Sequence, residues 1–301
     1  MRYYQFSHRG QSHLGVETSA DNLVDLTAIS SHVASLFDLL KTASIARVTV
    51  DRLARGLVDR GAPITLSIED LHANSAEQNG GPVLELPLLA PEVWAAGVTY
   101  ADSMRERQAE SGSPDAYAKV YNADRPEVFF KATPSRLVGP YGEVGIRADS
   151  TWNVPEPELA FVLFDGQIAG YTCGNDMSSR DIEGANPLYL PQAKLYDRGC
   201  AIGPCFVTPE TVGDPQNLRV TLTIERGGSV AFEGGTSTAE MKRDCEYIAD
   251  WLQRHNPVPD GTTVVTGTGV IPPMDFTLEP GDVVHVEIEK IGRLTNTVTI
   301  V

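Results

Sequence analysis

The pattern of apolar and polar positions predicts two antiparallel hairpins in the second half of the chain. Residues 159–164 form a continuous apolar run, and the Asp-Gly dipeptide at 165–166 that follows is typical of the turn between paired strands. A Gly-Gly dipeptide at 227–228 separates two further strand-like runs in the same way. Residues 284–289 alternate between apolar and polar side chains, which predicts a strand exposed at the edge of a sheet.

Residues 20–62 carry a helical pattern instead, because apolar residues recur every three to four positions. Asp21 or Asn22 would cap the first of these helices. One more helix is predicted after Ser237, which forms a capping box with Glu240. Its buried face would contain Met241, Cys245, Ile248 and Leu252.

Together these patterns predict an α+β protein that is rich in β-structure. A polar stretch and then a proline-bearing one follow the helical region and place a boundary near residue 85. We therefore expect a small helical or mixed domain over residues 1–85 and a barrel-like or sandwich β domain over residues 86–301.

Composition and charge exclude several classes of partner. The 301 residues carry a formal net charge of -16, which argues against nucleic acid and anionic membranes as partners. No window approaches the 18 apolar residues of a membrane span, and the N-terminal residues lack the apolar core of a signal peptide. We therefore expect a cytoplasmic location. The four cysteines form no CxxC pair, so in that reducing compartment we expect free thiols.

Two glutamates directly precede the apolar run of the first hairpin. Glu156 and Glu158 are two positions apart, so in a strand they point to the same face. The hairpin brings Asp176 back roughly opposite residue 155 and close to both glutamates. Three converging carboxylates form a hard oxygen site, which suits Mg²⁺, Mn²⁺ or Ca²⁺. The alternative is that the glutamates are solvated strand-edge residues and that Asp176 caps a turn.

Several segments resemble the fumarylacetoacetate hydrolase superfamily. They are FFKATPS, PEPELAFVL, CGNDMSSRD, QAKLYD, TGTG and LEPGDVVHVEIEKIGRLTNTV, which occur in the family's order over roughly residues 90–301. The resemblance implies a mixed β catalytic domain with a β-roll. It also implies Glu156, Glu158 and Asp176 as ligands of Mg²⁺, with Mn²⁺ as an alternative, and Lys194 beside the metal. Members of the superfamily usually form homodimers or larger assemblies, so we expect a homodimer or homotetramer.

The segment over residues 97–111 distinguishes between reactions. Hydrolases and decarboxylases of the superfamily carry a helix of the form GxNYxxHxxE, whose histidine and glutamate activate water. In this chain Thr99 replaces the asparagine, Ser103 replaces the histidine and Glu106 keeps the glutamate position. Without the histidine the water-activating pair is incomplete.

These departures, together with the segment NDMSSRDIEGANPLYLPQAKLYDRGCAIGP, resemble the 2-keto-3-deoxy-pentonate (arabinonate or xylonate) dehydratase branch. This branch dehydrates a 2-oxo sugar acid to 2,5-dioxopentanoate in non-phosphorylative pentose degradation. Hydrolysis of an acylpyruvate or another 2,4-diketo acid is the alternative reaction on the same scaffold.

A dehydratase of this kind needs a base for the carbon 3 proton and an acid for the carbon 4 hydroxyl. We assign the base or enolate partner to Lys194 and the acid to Glu110 or Glu106, which share a helix face and cannot be ranked from sequence. Further polar residues of the quoted segments are candidates for substrate contact or support of the carboxylates; they are Ser103, Lys131, Arg180 and Thr268.

Overall fold

A computed structural model of the chain describes residues 1–61, 64–110 and 114–301, with the side chains of Arg107, Glu110, Pro114 and Ala116 left out. The strands are β1 (Arg2–His8), β2 (Gln11–Ser19), β3 (Asn22–Asp25), β4 (Thr65–Ser67), β5 (Val83–Leu84), β6 (Val93–Gly97), β7 (Glu127–Ala132), β8 (Leu137–Val138), β9 (Glu143–Ile146), β10 (Asn153–Val154), β11 (Pro157–Phe164), β12 (Gln167–Asp176), β13 (Ser178–Ser179), β14 (Cys200–Val207), β15 (Arg219–Arg226), β16 (Ser229–Ser237), β17 (Thr263–Val265), β18 (Val283–Ile288) and β19 (Gly292–Ile300). The helices are α1 (Leu26–Ile29), α2 (Leu36–Ala46), α3 (Val50–Val58), α4 (Ile68–Glu77), α5 (Ala101–Glu110), α6 (Pro114–Asn122), α7 (Arg180–Ala185), α8 (Leu190–Lys194), α9 (Pro209–Val212) and α10 (Cys245–Gln253).

Two mixed sheets contain most of the described strands. The larger sheet has the strand order β4-β3-β2-β1-β14-β12-β11-β17-β6-β7, with β5 beside β1 and β8 beside β14. The smaller sheet has the order β16-β15-β18-β19-β9. A hydrophobic cluster with members on β11, β12, β15, β18 and α10 joins the two sheets. The predicted β-rich α+β class is confirmed.

Both predicted hairpins are present, as β11–β12 and β15–β16. Asp165 and Gly166 connect the first pair with φ angles of 49° and 70°, the left-handed conformation that a two-residue hairpin turn needs. Every residue of β11 is buried, because the strand lies inside the large sheet with both faces covered.

Two local predictions need correction. Strand β18 is not an edge strand, because it pairs with β15 on one side and β19 on the other; its alternation reflects one buried and one more exposed face. The helix predicted from Ser237 begins only at Cys245, where Asp244 accepts a hydrogen bond from the Tyr247 amide. Ser237 caps a short 3-10 turn, and Met241 is held extended by a bridge to Tyr100.

The N-terminal residues contain more β-structure than the pattern predicts. Residues 22–25 form strand β3 between β2 and β4, so pairing with neighbouring strands prevails there over the helical pattern. The helices of this region are α1, α2 and α3, separated by short breaks. Strand β1 pairs with β14 of the C-terminal part, so both parts contribute to one sheet. The boundary near residue 85 stays a prediction.

All four cysteines are free and buried, which confirms the expectation of unpaired thiols. Among the described helices, none combines the length and the hydrophobicity that crossing a lipid bilayer requires.

Candidate active site

Three buried carboxylates meet where β11 begins and β12 ends. Each of Glu156, Glu158 and Asp176 offers an oxygen within 4.8 Å of the others, and their exposed fractions are 4%, 2% and 1%. The structure therefore brings together the three residues that the hairpin argument selected. We call them the acidic triad.

A bulge in the hairpin sets the register of the triad. Leu163 pairs with Ile168, whereas Val162 pairs with Gly170, so Ala169 has no partner. This extra residue shifts the pairing by one, and the Asp176 amide donates to the Glu156 carbonyl at 3.0 Å. A regular ladder would have placed Asp176 opposite residue 155. The bulge places it opposite Glu156 instead.

Three buried cations surround the acidic triad. Lys194 Nζ donates to Glu156 Oε2 at 2.8 Å, to Asp176 Oδ2 at 3.3 Å and to Ser178 Oγ at 2.5 Å. Arg180 Nη2 donates to Glu156 Oε1 at 3.0 Å. Lys131 Nζ lies 2.5 Å from Asp176 Oδ1. These contacts explain how three carboxylates remain buried side by side, since buried charges need close partners.

Glu158 forms none of these contacts with the three cations and bonds to the backbone instead. Its carboxylate accepts a hydrogen bond from the Gly267 amide at 2.6 Å. Burial, followed by repulsion from Asp176 and Glu156, raises the pKa of Glu158 well above its ordinary value. Gly267 has a φ of 92°, and a Cβ there would lie 2.0 Å from Thr99 Oγ1, so this position requires glycine.

The donor set of the triad fits a hard divalent cation. All three residues offer carboxylate oxygens, the ligand type that Mg²⁺ and Mn²⁺ prefer. Asp176 Oδ1 is buried and accepts no aligned hydrogen bond within the described structure, although Lys131 forms an ion pair with it. A cation held by Glu156, Glu158 and Asp176 would offset the repulsion that helps to raise the pKa of Glu158.

A cavity opens onto the triad. Residues that line it with polar or aromatic side chains include the triad together with Ser103, Tyr117, Glu127, Phe129, Glu183, Lys194 and Thr268. Of the residues proposed from sequence, Lys194, Ser103 and Thr268 therefore border the cavity. The Thr268 hydroxyl also donates to the Val270 carbonyl at 3.1 Å and so stabilises the backbone over residues 268–270.

Other proposed residues lie elsewhere. Lys131 and Arg180 contact the triad from behind the cavity and do not line it. Glu106 is half-buried on α5 and is absent from the cavity lining. The side chain of Glu110, the other proposed acid, lies outside the described residues.

Sequence reasoning missed Glu127, Phe129 and Glu183. Glu127 and Phe129 precede Lys131 by four and two positions on strand β7, so alternation would have placed all three on one face. Glu183 follows Arg180 by three positions on α7 and is buried, which is a weaker signal. Since Lys131 was proposed from the sequence, the alternation along β7 could have identified Glu127 as well.

Comparisons with known proteins identify the family of this chain. The family model described as "Fumarylacetoacetate (FAA) hydrolase C-terminal" matches residues 92–299. A probable 2-keto-3-deoxyxylonate dehydratase of Haloferax volcanii is 48% identical over 301 residues, all of both chains. A 2-dehydro-3-deoxy-D-arabinonate dehydratase of Saccharolobus solfataricus is 46% identical over 218 residues, 70% of this chain and 73% of that relative.

A solved structure is also similar over the full chain. It is a 2-keto-3-deoxy-D-arabinonate dehydratase complexed with magnesium and 2,5-dioxopentanoate, with a TM-score of 0.85 and 36% identity over 100% of this chain and 99% of that one. The matched family model and the full-length relative lead to one conclusion: this chain belongs to the fumarylacetoacetate hydrolase family.

Proposed function

We propose that this protein is a magnesium-dependent hydro-lyase that converts a 2-keto-3-deoxy-pentonate into 2,5-dioxopentanoate in non-phosphorylative pentose degradation. The observation that carries the proposal is the buried acidic triad with Lys194 bonded to two of its members at the floor of a cavity. The similarity to two dehydratases at 46% and 48% identity supports the substrate class.

Glu156, Glu158 and Asp176 would hold the cation. When bound, Mg²⁺ would supply Lewis-acid polarisation of the substrate's keto oxygen, and Mn²⁺ is the alternative with the same ligand preference. Lys194 is the one amine among the described residues of the cavity lining, so we assign it the removal of the carbon 3 proton. It must be neutral to accept this proton, and loss of a proton from its ammonium group when the cation binds would supply that form. Its contacts with Glu156 and Asp176 hold its amine at the triad.

Glu127 is our choice for the acid that protonates the leaving carbon 4 hydroxyl. It lines the cavity, whereas Glu106 does not, and it is only half-buried, so it can regain a proton from solvent. Its carboxylate lies against Gly97 on the paired strand β6. Departure of the hydroxyl as water leaves an enone. A proton shift from carbon 5 to carbon 3 then gives the enol of the aldehyde, and transfer of the enol hydroxyl proton to carbon 4 gives 2,5-dioxopentanoate, with net loss of one water.

Assembly and location are further proposals. We propose a homodimer or homotetramer in the cytoplasm; the free, buried cysteines are consistent with a reducing compartment. We also propose that residues 1–85 contribute an oligomer contact or support the site. The mass in solution of a chain shortened to residues 86–301, compared with the full chain, tests this role.

Turnover of 2-keto-3-deoxypentonate tests the proposed reaction. Semialdehyde formation is coupled to a semialdehyde dehydrogenase and followed as NADP⁺ reduction, with an acylpyruvate assayed in parallel. We expect activity with Mg²⁺ that EDTA abolishes and excess Mg²⁺ restores, because the triad supplies the ligands. Cleavage of the acylpyruvate without semialdehyde formation would instead establish the hydrolase.

A further inference from the structure

Lys131 is a buried lysine that contacts the acidic triad although it does not line the cavity. It lies on β7 with a side-chain exposure of 0%. Its ammonium donates to the Met177 carbonyl at 2.9 Å and to the Lys194 carbonyl, and it forms the ion pair with Asp176. An ammonium group has three protons and no acceptor; two of these protons bond to the carbonyls, and the carboxylate of Asp176 is held by its opposite charge.

These partners belong to two different elements of the site. Asp176 and Met177 lie at the end of β12, whereas Lys194 is the last residue of α8. The final carbonyls of a helix have no partner within the helix, and a cation is favourable there. One ammonium group therefore joins the strand that carries a triad carboxylate to the helix that carries the proposed base.

The surroundings of Lys131 argue against substrate contact. It does not line the cavity, and the ring of Tyr196 lies 5.6 Å from its Nζ. Any effect of Lys131 on the reaction must then pass through Asp176 and Lys194.

We propose that Lys131 is a positioning residue that fixes Lys194 relative to Asp176 and neutralises part of the acidic triad before the metal binds. This inference rests on the proposed metal site. It assigns Lys131 a role other than the substrate contact considered from sequence. Because the ammonium lies 2.5 Å from a triad oxygen, its removal leaves the metal-free carboxylates more strongly repelled.

The test substitutes Lys131→Met, which keeps the length of the side chain and removes the charge and the donors. We expect kcat to fall by about 10- to 100-fold while KM stays within about threefold of wild type. We also expect the rise in Tm on addition of Mg²⁺ to the EDTA-treated protein to be larger than in wild type, because Mg²⁺ then offsets more repulsion. A lysine that only fills the core would lower Tm equally with and without Mg²⁺.

Lys290→Met is the matched control. Lys290 donates to the carbonyl of Val212, the last residue of α9, so it binds a helix end remote from the cavity. We expect its kcat and its Mg²⁺-dependent rise in Tm to equal those of wild type. If Lys131→Met does not fold with or without Mg²⁺, Lys131→Gln replaces it, since the amide removes the charge but can still donate hydrogen bonds.

Three results would overturn the inference: unchanged kcat in the variant, a raised KM with kcat retained, or a rise in Tm on Mg²⁺ addition no larger than in wild type. The Tm measurement does not depend on the reaction. A wild-type protein that is stabilised by Mg²⁺ but forms no semialdehyde would refute the proposed dehydratase, and the variant's larger rise in Tm would still support the placement of Lys131.

Discussion

At the residue scale, the site is a balance of buried charges. Glu156, Glu158 and Asp176 are each at most 4% exposed, and such carboxylates are costly unless they are paired. Lys194 contributes two of the pairings, through Glu156 and Asp176. The same ammonium borders the cavity, so one side chain can both stabilise the triad and act on a substrate.

Replacing Lys194 with Met tests this double role. We expect kcat to fall by about 10²- to 10⁴-fold, because a group that transfers a proton is lost. In the presence of Mg²⁺ the variant should stay folded, since the cation compensates the triad. Coupled turnover and circular dichroism measure the two effects. Turnover within twofold of wild type would rule out Lys194 as the base.

At the element scale, the antiparallel pair β6–β7 places the proposed acid. Gly97 on β6 lies opposite Glu127 on β7, and a Cβ built on Gly97 would come within 2.1 Å of Glu127 Oε2. Because Gly97 has no side chain, the Glu127 carboxylate can occupy this space beside the cavity.

Gly97→Ala should displace the Glu127 carboxylate. Because the end of a flexible side chain can move, we expect the fold to persist and kcat to fall by about 100-fold, as for a misplaced reacting group. Stabilisation by Mg²⁺ should not change, since the triad lies on β11, β12 and the residue before β11. Glu127→Gln should reproduce the loss of kcat.

The matched control is Gly56→Ala on α3, where a Cβ would meet nothing within 4 Å. We expect this variant to turn over substrate at the wild-type rate. If Glu127→Gln retains the wild-type rate, Glu127 is not the acid, and Glu183 becomes the remaining described glutamate of the cavity outside the triad.

At the scale of the whole molecule, side-chain contacts tie the N-terminal elements to the remainder of the fold. His72 on α4 shares a hydrogen bond of 2.8 Å with the hydroxyl of Tyr141, and its ring packs edge-on against Tyr4 of β1. Burial lowers the pKa of His72 below its ordinary value of 6.5. The folded protein thus favours the neutral ring more strongly than the unfolded chain does.

This shift predicts that stability falls in mild acid. As the pH drops below about 6.5, the unfolded chain takes up a proton on His72 that the folded protein resists, so the free energy of unfolding decreases. His72→Gln removes the titrating group, and we expect a smaller loss of Tm between about pH 7.5 and pH 5.5 than in wild type. Equal losses in both proteins would show that His72 does not contribute.

The class of fold and the three members of the acidic triad could be predicted from patterns in the sequence. Local signals sufficed for the hairpin, because the turn at 165–166 and the apolar run before it act over a few residues. The alternation of Glu156 and Glu158 and the return of Asp176 across the hairpin then selected three carboxylates that do converge. The resemblance to the family predicted the dehydratase reaction and the place of Lys194 beside the metal.

Which further residues reach the cavity depends on the tertiary structure. Glu127 and Glu183 belong to segments that are distant from the triad in sequence, and sheet pairing and helix packing bring them to the cavity. The bulge at Ala169 and the central place of β18 likewise depend on neighbouring strands. Lys131 was already a candidate from the sequence. Its contact with Asp176, however, depends on the packing of β7, β12 and α8 against one another, because the burial and the partners of a side chain are properties of the assembled fold.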